Sequence, residues 1–186
     1  MDKLLIICFF LTVPTAFAQT ASPRGEVFGS VGGGRAYDDE GNIGSGIDFG
    51  GGVGFRITPK FGIEGQVNRM IYERGFSSGV LFKGSAVFTT ANVIYHFSKE
   101  QAQPYVIAGV GFVHHENRSQ FPVEPFTIKG STNGFAFDFG AGIRIFINKQ
   151  FSLRPEFRVF IGDAAGSGVE SPFSVMRGSL AFSYHW

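Results

Sequence analysis

The sequence predicts an all-β chain that crosses a membrane as an eight-stranded antiparallel up-and-down transmembrane β-barrel. Three observations predict it. Segments of about ten residues alternate apolar and polar side chains with period two, the length and period of a tilted membrane strand. The connections between them are short and long in turn. The chain ends Leu180-Ala181-Phe182-Ser183-Tyr184-His185-Trp186, with an apolar or aromatic side chain at every second position. A strand of that pattern offers one face to hydrocarbon and a small or polar face to an interior.

The N-terminus sets the compartment. Met1-Asp2-Lys3 is followed by an almost wholly apolar run from Leu4 to Val13, then Pro14 and the pair Ala16 and Ala18 around Phe17. This predicts a signal peptide over residues 1–18, cleaved after Ala18, and a single barrel domain over residues 19–186. Cys8 leaves with the signal, so no disulfide is expected in the exported chain. The 16 Lys and Arg against 15 Asp and Glu give no electrostatic reason to expect nucleic acid. Beyond the signal, the longest run of apolar residues and glycine is Tyr105 to Val113, far short of the ~20 residues of a transmembrane helix.

The strands are expected near residues 25–34, 47–57, 61–72, 86–97, 104–114, 135–147, 151–162 and 175–186. The first has small residues on both faces, so its phase stays open. In the second, Ile47, Phe49, Val53, Phe55 and Ile57 oppose Asp48, three glycines and Arg56. Glu64, Gln66 and Asn68 mark the inward face of the third, Asn92 and His96 that of the fourth. In the fifth, either Val106, Ala108, Val110 and Phe112 or Tyr105, Ile107 and Val113 face lipid. The sixth sets Phe135, Phe137, Phe139, Ala141, Ile143, Ile145 and Ile147 against Ala136, Asp138, Gly140, Gly142, Arg144 and Phe146. The seventh sets Phe151, Leu153, Pro155, Phe157, Val159 and Ile161 against Ser152, Arg154, Glu156, Arg158 and Phe160. Pro155 lacks the N–H a ladder needs, and a bulge is expected there. The eighth carries Arg177 inward.

The connections Thr58–Lys60, Ser98–Gln103 and Asn148–Gln150 are short; Arg35–Gly46, Glu73–Ser85, Glu116–Gly134 and Asp163–Ser174 are long. Short periplasmic turns and long outer loops follow when both termini lie in the periplasm. Ten residues at roughly 3.3 Å each, tilted near 45°, rise about 23 Å, close to the ~25 Å apolar band of such barrels. Phe61, Phe97, Phe151 and Trp186 are expected in the inner aromatic girdle; Tyr37, Tyr72, Phe112 and Phe135 near the outer rim.

Pro104-Tyr105-Val106 followed by Ala108-Gly109-Val110-Gly111, the strand Phe139-Gly140-Ala141-Gly142 and the terminus Leu180 to Trp186 resemble the small outer-membrane proteins of the OmpA and OmpX type, the outer membrane protein β-barrel domain family. The resemblance covers essentially all of residues 19–186. It implies a place in the bacterial outer membrane, contact with outer-membrane lipid, and a terminal signal in Leu180, Phe182, Tyr184 and Trp186 that the barrel-insertion machinery reads during assembly.

The inward charges are expected to form one network in the lumen, with Arg144, Arg154, Arg158 and Arg177 meeting Glu64, Asp138 and Glu156. Unpaired charge in a narrow interior costs several kcal/mol per ion, and the planar guanidinium suits carboxylate pairing. Such a network either plugs the barrel or lines a gated path for small solutes; an interior barely wide enough for side chains favours the plug. Lys placed at Val53 or Ile143, toward lipid, is expected to cost about 2 to 4 kcal/mol, and Lys at Ser152 much less.

Four motifs could carry chemistry. Gly75-Phe76-Ser77-Ser78-Gly79 matches an esterase string but sits in a loop with no helix after it. His96 and Ser98 share the spacing of barrel lipases that deacylate lipid A, at the wrong end of the strand. His114-His115-Glu116 offers two imidazoles that should diverge, because neighbours on a strand face opposite ways. Asp38-Asp39-Glu40-Gly41-Asn42 lacks the spacing of a calcium loop. No catalysis, cofactor or metal is expected. The chain is expected to be a monomer with a structural or surface-interaction, adhesion-like role, any surface partner meeting the 116–134 loop. A narrow channel or carrier and a surface lipid hydrolase are the alternatives.

Overall fold

The computed structural model describes residues 24–38, 41–75, 81–98, 100–120, 127–163 and 172–186. Its strands are β1 (Gly25–Asp38), β2 (Gly41–Arg56), β3 (Phe61–Gly75), β4 (Leu81–His96), β5 (Ala102–Gln120), β6 (Thr127–Phe146), β7 (Phe151–Asp163) and β8 (Pro172–His185). Each pairs antiparallel with the next, and β8 closes on β1. Residues 1–23, which hold the expected signal peptide, lie outside the described residues.

The register fixes the inclination of the strands. The row of paired residues that leaves β1 at Gly25 passes through Phe55, Ile63, Val93, Ala108, Phe139, Val159 and Met176, and returns to β1 at Arg35, ten residues further on. A stagger of that size over eight strands tilts them by about 40°. Each row therefore climbs toward the outer rim as it passes from β1 to β8.

The three inner turns close in similar ways. Thr58 Oγ1 accepts the backbone N–H groups of Lys60 (3.3 Å) and Phe61 (3.0 Å), Asn148 Oδ1 accepts those of Gln150 (2.8 Å) and Phe151 (2.9 Å), and Ser98 Oγ accepts that of Glu100 (3.0 Å). A short polar side chain that bonds its own backbone two residues on is the usual device of a tight turn.

Alternation between lipid and lumen runs through every strand. Both open phases resolve: Glu26, Phe28 and Ala36 of β1 point inward, as do Tyr105, Ile107 and Val113 of β5, while Val27, Val31, Val106, Val110 and Phe112 point out. Ladder geometry, with fixed neighbours on both sides, supplies what the small side chains of these segments could not.

Three expectations change. Strand pairing continues through most of the segments expected as outer loops, as far as Gly75↔Leu81 and Gln120↔Thr127. Above the membrane both faces of a strand meet water, so hydrophobic alternation fades while the backbone ladder carries on. Tyr72 is fully buried in the lumen rather than at the outer rim, because it shares parity with Glu64, Gln66 and Asn68. No bulge forms at Pro155. The β7–β8 register runs unbroken through Pro155↔Leu180, and the β6–β7 register is the same on either side of the skipped pairs, at Gly142↔Glu156 and Ile145↔Leu153. The missing donor thus interrupts bonding to β6 without shifting it. The register shift falls instead between Ala36 and Tyr37, just before Gly41, whose φ of +115° suits glycine.

Candidate functional site: the closed lumen and the outer rim

The lower part of the lumen is filled by paired charge. Arg158, wholly buried, donates from Nε to Glu156 (2.7 Å), from Nη1 to Asp138 (2.8 Å) and from Nη2 to Glu64 (2.9 Å). Arg154 reaches Glu64 (2.8 Å), Glu156 (3.2 Å) and Glu26 (3.4 Å). Arg177 binds Asp48 (2.6 Å) and, more distantly, Glu156 (3.4 Å). Tyr105 donates its hydroxyl to Glu156 at 2.6 Å, so that carboxylate is held from four side chains. The guanidinium of Arg154 also lies over the rings of Phe28 (4.6 Å) and Tyr105 (5.3 Å).

One expected pairing is corrected. Arg144 meets none of Glu64, Asp138 or Glu156; its carboxylate partner is Glu26, at 2.5 Å. Glu26 belongs to the strand whose phase the sequence left open, and nothing but its parity in the ladder could have placed it inside. Asp48, already read as inward, joins through Arg177. The signal for Tyr105 was weaker still, since both faces of its strand are apolar.

Above the charges lies an apolar layer of which the sequence pattern assigns only Phe160 to an inward face. Met70, Phe88, Val113, Phe160, Phe173 and Val175 form its body. Phe88 and Phe160 touch at 4.6 Å between ring centres, and Phe173 lies 4.9 Å from the His115 ring. Tyr72 stacks on His115 and hydrogen-bonds its Nε2. The contributors are inward residues toward the outer ends of five strands, β3, β4, β5, β7 and β8, a grouping visible only once the register is known.

The chemical motifs separate. His96 is buried in the lumen, 3.5 Å from Arg144 Nη1, whereas Ser98 sits in the inner turn, where its oxygen accepts the Glu100 N–H. His115 points inward while His114 is exposed outside, bonded to Asn133 (2.7 Å) and near Glu116 (3.6 Å). The two imidazoles diverge as strand geometry requires. Residues 76–79 of the esterase-like string, residues 39–40 of the acidic segment and residues 121–126 of the third loop lie outside the described residues.

On the outer wall, Leu180, Phe182, Tyr184 and Trp186 are all exposed toward lipid, with Ala181, Ser183 and His185 buried behind them. Phe61, Phe97 and Trp186 ring the inner boundary, and Phe151 packs on Phe182 and Tyr184. Phe112 and Phe135, in contact at 5.1 Å, mark the outer one.

The rim is lopsided. β4, β5 and β6 run 16, 19 and 20 residues, against 13 for β7. β6 pairs with β5 along its whole length, but among the described residues its pairing with β7 begins only at Ala136↔Gly162. Residues Thr127 to Phe135 of β6 therefore have a second edge to which no described strand is joined.

The family described as "Outer membrane protein beta-barrel domain" matches residues 4–175. The fold is similar to that of Neisserial surface protein A, at 12% identity and a TM-score of 0.62, over 87% of this chain and 97% of that one. It is similar to Ail, the attachment invasion locus protein of Yersinia pestis, at 13% identity and 0.59, over 89% and 100%. OprG from Pseudomonas aeruginosa matches at 13% identity and 0.52, over 90% and 98%. No curated protein matches the chain. The closed barrel, its lipid-facing aromatics and the match over nearly its full length agree: the chain belongs to the outer membrane protein β-barrel domain family and resides in the bacterial outer membrane.

Proposed function

We propose that the protein is a closed, non-catalytic barrel that serves as a rigid mount for a surface-binding edge. The observation that carries this is the extension of β4, β5 and β6 beyond β7, which among the described residues leaves the outer part of β6 with a backbone edge to which no strand is joined. An extended segment of another protein adds to such an edge through main-chain hydrogen bonds. The name of one similar structure, an attachment invasion locus protein, supports the same kind of role. The test is adhesion of cells displaying the full chain, compared with a variant in which residues 117–133 are replaced by a tight turn. Adhesion falls to background in the variant while the barrel keeps its heat-modifiable gel mobility; unchanged adhesion would contradict the proposal.

The paired charges and the apolar layer support a lumen closed to solutes by two barriers in series. Planar-bilayer recordings are expected to lack steady openings, both for the parent chain and for Arg144→Ala, since that change leaves the apolar layer in place. Large steady openings abolished by Arg144→Ala would instead establish the channel alternative. The lipid hydrolase alternative needs His96 and Ser98 to act together at the outer leaflet. Their separate environments at the inner end argue against it, and deacylation of lipid A lost in Ser98→Ala would reinstate it.

A further inference from the structure

Two arginines stand on the lipid-facing side of the wall. Arg35 of β1 and Arg69 of β3 are both exposed and share the outward parity of Val31 and Val67. In register, Arg35 lies beside Ser45 and Met176, and Arg69 beside Phe49 and Val87. Arg69 donates from Nε to Ser85 Oγ at 3.0 Å, which leaves both terminal nitrogens of its fork. Neither arginine has an ion pair among the described residues, and the nearby acid Glu73 is held by Lys83 at 3.0 Å.

Their depth follows from the stagger of the rows. Once the climb from β1 to β8 is included, Arg35 and Arg69 come level with Phe112 and Phe135 to within roughly 5 Å. They stand at the outer edge of the hydrocarbon, two strands apart and about 16 Å from each other. Ile47 and Phe49 of β2, both exposed, lie between them.

Below them the outward surface of β1, β2 and β3 is low. Gly29, Gly33, Gly51 and Gly65 all carry outward parity. A side chain added at Gly65 would meet nothing within 4 Å, and one at Gly29 only a backbone oxygen at 3.9 Å. The result is a shallow trough bordered by Val31, Phe49, Val53 and Val67, leading down from the two cations. An unpaired guanidinium at the hydrocarbon edge calls for an anion from the membrane itself, and its planar fork matches phosphate oxygens bidentately.

We propose that this face binds a phosphate-bearing lipid of the outer leaflet, with phosphate held by Arg35 and Arg69 and acyl chain lying in the glycine trough. The site is separate from the β6 edge and does not depend on the adhesive role.

Native mass spectrometry of the purified full chain in detergent tests it, with three probes: a bisphosphorylated acylated disaccharide, the same lipid stripped of phosphate, and inorganic phosphate. The phosphorylated lipid binds tighter than its stripped form by roughly tenfold or more. The double substitution Arg35→Gln with Arg69→Gln removes that preference and keeps heat-modifiable mobility, while Gly65→Leu weakens both lipids. Equal binding of the two lipids by the parent chain, a preference that survives the double substitution, or inorganic phosphate bound as tightly as the lipid would each overturn the proposal. The last of these would assign the arginines to an adventitious anion.

Discussion

Replacing Arg158 by Ala is expected to cost about 3 to 5 kcal/mol of folding free energy, read from urea unfolding in lipid vesicles. Arg158 is wholly buried and donates to Glu64, Asp138 and Glu156, which come from three strands. Its removal leaves these carboxylates close together in a narrow interior with fewer cations to hold them. Arg154 retains Glu64 and Glu156 but has no bond to Asp138, so Asp138 is the group left most exposed to the loss. Arg158→Lys keeps the charge but cannot span three acceptors with a planar fork, and is expected to fall between parent and Ala. A loss under about 1 kcal/mol for Arg158→Ala would mean that the network contributes little to stability.

Lys in place of Val53 is expected to cost about 2 to 4 kcal/mol in the same assay, against about 0 to 1 kcal/mol for Ser45→Lys. Both residues are on the outward face of β2 and both are exposed. Val53 lies within the apolar band, whereas Ser45 stands near the outer edge, level in register with Arg35. Depth alone separates them. Ser152, expected from the sequence to accept Lys cheaply, does not serve as the mild control. It is fully buried and bonded to His185 Nε2 at 2.8 Å, so a longer side chain there meets a packed interior. Polar parity is no guarantee of space in a barrel this narrow. Equal losses at Val53 and Ser45 would contradict the assigned depth.

The contrast between these positions shows what the sequence carries and what it does not. Within the membrane the solvent differs on the two sides of each strand, so residues such as Phe137 and Asp138 declare their faces outright. β1 and β5 lack that contrast: one is nearly all glycine and small residues, the other apolar on both sides. Their phases came from closure of the ladder, and with them Glu26 and Tyr105 entered the charge network. Arg154, Arg158 and Arg177 were legible as a buried set, because arginines that alternate with lipid-facing residues have nowhere else to go. Which acid each would meet depends on a stagger of ten residues that no local pattern encodes. That Phe160 would meet Phe88 and Phe173 in an apolar layer was hidden for the same reason. The outer strand extensions were hidden because water on both faces erases the period-two signal while backbone pairing persists.

Single cysteines at adjacent residues test the alternation of faces most directly, in a chain whose one native cysteine, Cys8, lies in the expected signal. The pairs are Ala136 and Phe137, Leu180 and Ala181, and Phe182 and Ser183, each with one buried and one exposed member. In vesicles, a thiol-reactive fluorophore is expected to label cysteine at 137, 180 and 182 and to be quenched by brominated acyl chains. Cysteine at 136, 181 and 183 should stay unreactive until the protein is denatured. Labelling of both members of a pair, or the absence of acyl-chain quenching at the outward sites, would contradict a closed barrel with lipid on one face and a packed polar lumen on the other.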